Sequence, residues 1–235
     1  MIGDKLQQVQ ARIVTACTAA GRDPASVRLL AFGKTFPPEA LRQAHVAGQR
    51  AFGENYVQEA LAKIEALAEL RTNDGNGIEW HCIGPLQSNK TRVVAAHFDW
   101  VHSVDRLKIA ERLNAQRPVD LPPLQVCLQV DVDGGANKSG IAIADAMALA
   151  RSVAALPRLR LRGLMAIPEP AIGFEAQRDL FQRAADVFAR IRADGIALDT
   201  LSLGMSADLE AAIAAGSTMV RIGSAIFGGR PPAGP

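Results

Sequence analysis

The sequence predicts an α/β protein: a single (β/α)8 barrel of the TIM type with an extra N-terminal helix. Three observations carry this expectation. Short, nearly continuous apolar runs alternate with amphipathic stretches along the chain, eight such runs can be counted, and no Pro/Gly/Ser-rich linker separates two bodies. Apolar strands divided by helices call for parallel pairing with both sheet faces covered. Eight units in roughly 200 residues lie at the small end of such barrels. An open doubly wound sheet is the runner-up, because a strand count does not establish closure. At 235 residues, 49% apolar and 21% charged, the chain can bury a sizeable core, and one domain over residues 1–235 is expected.

Each element has a local cause. Apolar residues at 6, 9, 13, 14 and 17 give Asp4–Ala20 a helical period, and Gly21 stops it. Val27–Lys34 is a short apolar run between Asp23-Pro24 and Pro37-Pro38, hence a buried strand; Pro38 then opens a helix to Ala47. Arg50–Gly53 is a brief strand, and Val57–Leu70 an amphipathic helix with apolar residues at 57, 60, 61, 64, 67 and 68. Ile78–Ile83 is a strand, followed by a helix capped by Ser88 and reaching Ala96. Trp100–Ser103 is a strand before Asp105, the expected cap of a helix over Arg106–Ala115. Leu124–Val132 is the longest strand, followed by the loop Asp133–Gly140 and a helix over Ala144–Ala155. Leu159–Ile167, Thr200–Gly204 and Thr218–Ile222 complete the strands, with helices at Phe174–Arg192 and Ala207–Ala214 between them.

Composition excludes several functions. Net charge is +2, so no strong field favours nucleic acid or an anionic membrane. Cys17, Cys82 and Cys127 are odd in number and lack metal-ligand spacing, so they are expected as buried apolar residues in a reducing compartment, with no metal. No apolar run approaches a membrane span and no leader pattern opens the sequence, so a soluble cytoplasmic protein is expected, a monomer by default.

The working face of a parallel barrel lies at the carboxyl ends of its strands. One lysine, Lys34, ends an otherwise apolar strand there. Poor solvation favours its neutral amine, the form that condenses with aldehydes, although a lysine snorkelling to water is the commoner case. Ser202-Leu203-Gly204-Met205-Ser206 after the seventh strand and Arg221-Ile222-Gly223-Ser224 at the eighth form a candidate phosphate cradle, or else ordinary turn and cap residues. His81 inside its strand reads as a satisfied core histidine. No GxSxG elbow supports hydrolysis.

Ordered blocks then carry a family resemblance. WHCIGPLQSNKTRVV (80–94), AFGKTFP (31–37), FGENYVQE (52–59), KSGI (138–141), LMAIP (164–168) and the long block over 201–228 resemble the pyridoxal phosphate homeostasis proteins, relatives of the barrel domain of bacterial alanine racemase. The resemblance runs from about Leu6 to Gly229. It implies that Lys34 holds pyridoxal phosphate (PLP) as an internal aldimine. It implies further that Ser202, Gly223 and Ser224 bind the phosphate, that Arg221 faces the pyridine nitrogen, and that Asn55, His81 and Met205 line the pocket. Lys138 is a candidate second amine for cofactor transfer, or simply a loop cation. The sequence departs from the family pattern at Cys82, at Gly33 (usually serine) and at Asp131 (usually asparagine), the last placing a negative charge near the site.

A guanidinium only donates, so Arg221 favours an unprotonated pyridine and a weak electron sink. Alanine racemase adds a tyrosine from a second domain, whereas the one tyrosine here is Tyr56 in the FGENY block. The implied function is therefore non-catalytic: buffering PLP inside the cell or delivering it to PLP-dependent apo-enzymes. A small racemase or lyase using PLP is the alternative. Lys63 and Arg190, placed on outer helices, are expected to affect neither linkage nor retention.

Overall fold

The computed structural model describes residues 1–72, 76–134 and 139–229. Its strands are β1 (Arg28–Phe32), β2 (Ala51–Glu54), β3 (Glu79–Cys82), β4 (Trp100–Val104), β5 (Leu124–Asp131), β6 (Ile141–Ala142), β7 (Leu159–Met165), β8 (Thr200–Ser202) and β9 (Met219–Ile222). All pairings are parallel. The order β4-β3-β2-β1-β9-β8-β7-β5 is closed by pairing of β4 with β5, while the two-residue β6 adds only to the edge of β5. The expected barrel is therefore closed, and the open sheet is ruled out.

Helix α1 (Ile2–Ala19) precedes the barrel; α2 (Pro38–Val46), α3 (Val57–Ala66), α4 (Thr91–His97) and α5 (Leu107–Gln116) follow the first four strands. Helices α6 (Ala146–Ala154), α7 (Phe174–Ala193), α8 (Leu209–Ala214) and α9 (Ser224–Phe227) follow the rest. Several boundaries differ from expectation. Neither Ser88 nor Asp105 caps a helix: Ser88 opens a 3-10 turn whose carbonyl accepts from Thr91 Oγ1, and Asp105 pairs with Arg106 at 2.7 Å. Helix α3 ends at Ala66, and a 3-10 turn takes Ala68–Leu70.

The main core lies between strands and helices, where Leu29, Ala31, Phe52, Trp80 and Val126 meet Leu41, Ile64, Ile109 and Phe181. Each large side chain buried there contributes on the order of 1.5–3 kcal/mol. Strand alternation turns the other residues inward, where two small apolar clusters, Leu30/Ala51/Ile83/Met219 and Trp100/Cys127/Met165, share the barrel interior with polar side chains. The three cysteines are free and buried as expected. Among the described residues, no helix is long and apolar enough to cross a membrane, and no cluster of His, Cys, Asp and Glu could hold a metal ion.

Candidate functional site

The sequence placed Lys34 at the end of a strand, but β1 stops at Phe32 and Lys34 sits half-buried in the turn that follows. That turn is tied down. Thr35 has a left-handed φ of 68°, costly for a β-branched residue, and its N–H donates to Glu59 Oε1 at 2.7 Å. Gly33 O accepts from Lys63 Nζ at 2.7 Å. The same ammonium reaches Glu54 Oε1 at 2.8 Å and Glu59 Oε1 at 2.9 Å. Lys63 lies on an outer helix as expected, but its side chain is buried on the inner face of α3, where it clamps the lysine turn. A Cβ on Gly33 would lie 2.6 Å from Glu54 Oε1, so glycine leaves room for this carboxylate. Burial pushes the Glu54 carboxyl up to about 7, against the pull of Lys63.

Lys34 faces a cavity of about 280 Å³ at the carboxyl-end mouth, also lined by Met205, Ser206, Arg221, Gly223 and Ser224. The Phe36 and Phe227 rings, 5.0 Å apart, pack beside it. Lys34 Nζ lies 5.0 Å from the centroid of the exposed Tyr56 ring. Arg221, almost wholly buried, is held by Ser202 O at 2.5 Å, Ser202 Oγ at 2.9 Å and Ala166 O at 3.0 Å. Burial pulls its pKa down to about 10, which leaves it a cation at neutral pH. A Cβ on Gly223 would meet Phe32 O at 3.0 Å, so this backbone passes close to β1. Just beyond Gly223, α9 begins, and the first N–H groups of a helix have no intrahelical partner. An amine, a guanidinium, two hydroxyls and free amides around so small a space fit a phosphorylated aldehyde.

Other expected site residues lie elsewhere. Ser202 is fully buried and does not line this cavity; its hydroxyl meets Arg221 and His102 Nδ1 (3.0 Å), and Ser206, four residues on, reaches the cavity instead. The reason is that β8 ends at Ser202, whose side chain turns into the barrel. His81 likewise does not line the pocket. It is buried in the interior, bonded to Glu79 Oε1 at 2.6 Å and His102 Nε2 at 2.9 Å, and stacked on Trp100 at 5.2 Å. Asn55 does not line this cavity but two others, one of which has Met205 in common with it. Asp131 does not aim its charge at the site: Oδ1 accepts from Asp133 N at 3.2 Å and Gly134 N at 3.0 Å, holding the start of its own loop. Lys138 lies outside the described residues.

A closed parallel barrel whose first and last strands border a cavity lined by an amine, a guanidinium and two serines defines a class of small α/β barrels with a ligand-sized pocket at the carboxyl-end mouth. The family model "Alanine racemase, N-terminal domain" matches residues 5–231, and the chain belongs to that family and, within it, to the pyridoxal phosphate homeostasis proteins. Proteins of that name from Pseudomonas aeruginosa and Escherichia coli K12 are 58% and 55% identical to it over 229 residues, about 97% of this chain and 96–97% of theirs. The structure of PipY from Synechococcus elongatus, solved with PLP bound, superposes with a TM-score of 0.84 at 36% identity, covering 97% of this chain and all of that one.

Proposed function

We propose that this protein binds PLP reversibly in the cavity between Lys34 and Arg221 and serves to hold and release it rather than to turn over a substrate. The observation that carries the reading is the sharing of one small cavity by the Lys34 amine, the Arg221 guanidinium, Ser206, Gly223 and Ser224. When bound, PLP supplies an electrophilic aldehyde. Lys34 Nζ is the amine that would hold that carbon, with water or a second amine able to take its place. Ser206, Ser224 and the first amides of α9 receive the phosphate. Arg221, fixed by three oxygen acceptors, could only donate toward a ring nitrogen and would so favour its unprotonated form. That is poor electronics for stabilising a carbanion, which supports storage over turnover. Met205 and Asn55 border the space where an arriving amine would enter, and apo-enzymes are the proposed recipients, with Lys138 as a candidate relay. We take the carrier to be a monomer acting in the cytoplasm.

Absorbance on titration with PLP tests this. Wild type should gain a visible band that Lys34→Ala lacks, while Arg221→Ala keeps the band with roughly tenfold weaker retention, the loss of one charge-assisted contact. Exchange of the α-proton of L-alanine with deuterated water at turnover rates would favour the racemase alternative.

A further inference from the structure

A line of polar side chains runs through the barrel interior from its amino-end mouth to Arg221. Arg28 NH1 and His81 Nε2 meet Glu79 Oε1 at 2.7 and 2.6 Å. His81 Nδ1 lies 2.9 Å from His102 Nε2, His102 Nδ1 3.0 Å from Ser202 Oγ, and Ser202 Oγ 2.9 Å from Arg221 NH1. Four strands, β3, β4, β8 and β9, each contribute to it. Both ends are chemically fixed, since a guanidinium only donates and a carboxylate only accepts. Burial lowers the pKa of both imidazoles and keeps them neutral. Burial also opposes ionisation of Glu79, but the hydrogen bond from His81, the charge His81 gains in acid and the charge and hydrogen bond of Arg28 outweigh it and hold the carboxyl down at about 2.

These ends leave one arrangement. Glu79 accepts from His81 Nε2–H; His81 Nδ1 then accepts from His102 Nε2–H; His102 Nδ1 accepts the Ser202 hydroxyl; and Ser202 Oγ accepts from Arg221. Arg221 itself is buried with three oxygen acceptors on its guanidinium, none of them a carboxylate. Asp208 is the nearer negative charge that favours the Arg221 cation, but none of the three hydrogen bonds on the guanidinium comes from it. A buried cation with so little compensation is costly, and aligned hydrogen bonds polarise one another.

We infer that Glu79 is a second, distant counter-charge and positioning residue of Arg221, beside the nearer Asp208, acting through the one-way line His81–His102–Ser202 from the end of the barrel opposite Lys34. The tautomers this requires are independent of any ligand; the effect on PLP retention rests on the function proposed above.

Long-range 1H–15N correlation spectra of the histidines at pH 7 test the line in the wild-type protein. His81 and His102 are expected to be neutral with the proton on Nε2, and an Nδ1–H or a cation at either ring overturns the inference. In Glu79→Met the acceptor is gone, and the nitrogens of His102, which does not touch residue 79, are expected to leave the single Nε2–H form. Unchanged His102 signals in that variant overturn the inference as well. Glu79→Gln keeps an acceptor without the charge, so it should restore the tautomers while PLP retention stays roughly tenfold weaker than wild type. Full retention in Glu79→Gln removes the counter-charge role. Asp99→Asn is the control from the same mouth. Asp99 bonds Arg71 at 2.9 Å and Trp80 N at 2.8 Å, outside the line, and its variant should leave both histidines unmoved. A wild type that takes up no PLP defeats the proposed function and leaves the tautomer result standing.

Discussion

Ser202 and Ser206 lie four residues apart in one motif, and their environments separate their roles. The Ser202 hydroxyl is enclosed between His102 and Arg221, so Ser202→Ala leaves two buried groups short of a partner. We expect it to lower stability by about 1–3 kcal/mol in denaturant melts. Ser206→Ala, at the edge of the cavity, should leave the melt within about 0.5 kcal/mol of wild type and weaken PLP retention several-fold. The sequence could not separate them. A glycine-rich strand end gives no sign of which residue is the last to turn inward, and a strand read two residues too long, to Gly204, moves the cradle with it. Lys34 was legible as the one lysine beside an apolar strand. The left-handed Thr35 that shapes its turn was not, because a threonine at positive φ is held there by Glu59 from another element.

At the scale of the element, α3 illustrates what periodicity carries and what it hides. Its apolar positions placed the helix correctly, and Lys63 lies three residues after Ala60 and four before Leu67, on the same buried stripe. That spacing was the available sign that its ammonium faces inward. A lysine on an amphipathic helix ordinarily snorkels outward, so its neighbours had to be seen. Lys63→Met should cost about 3 kcal/mol or more at pH 8, because it strands Glu54 without a counter-charge. The loss should shrink on acidification as Glu54 takes up a proton. Arg190→Ala on the exposed face of α7 should change stability by less than about 0.5 kcal/mol. Thermal and denaturant melts of the two variants at two pH values check both statements.

For the whole molecule, the alternation of apolar runs and helices was enough to predict the barrel, since parallel strands need both faces covered. Closure itself came from the β4–β5 pairing, a long-range contact that no local pattern encodes. The polar line in the interior was hidden for the same reason: His81, His102, Ser202 and Arg221 converge from four strands that are distant in sequence. Its histidines have pKa values lowered from 6.5, so the folded state binds fewer protons than the unfolded one. The stability they confer is present above pH 6.5 and lost as pH falls below it. Glu54 acts in the opposite sense. Raised from 4.5 to about 7, it stabilises the fold below pH 4.5 and loses that contribution as pH rises through 7. Glu54→Gln should therefore gain on wild type across that window, by up to about 3 kcal/mol at roughly 1.4 kcal/mol per pKa unit. Chemical denaturation at pH 5 and pH 8 reads the difference.

The most direct measurement is mass spectrometry of protein loaded with PLP, reduced with borohydride and digested. A single pyridoxyl group on the peptide bearing Lys34, absent from Lys34→Ala, is the result expected. Adducts on other lysines with Lys34 unmodified would contradict the assignment of this amine to the cofactor.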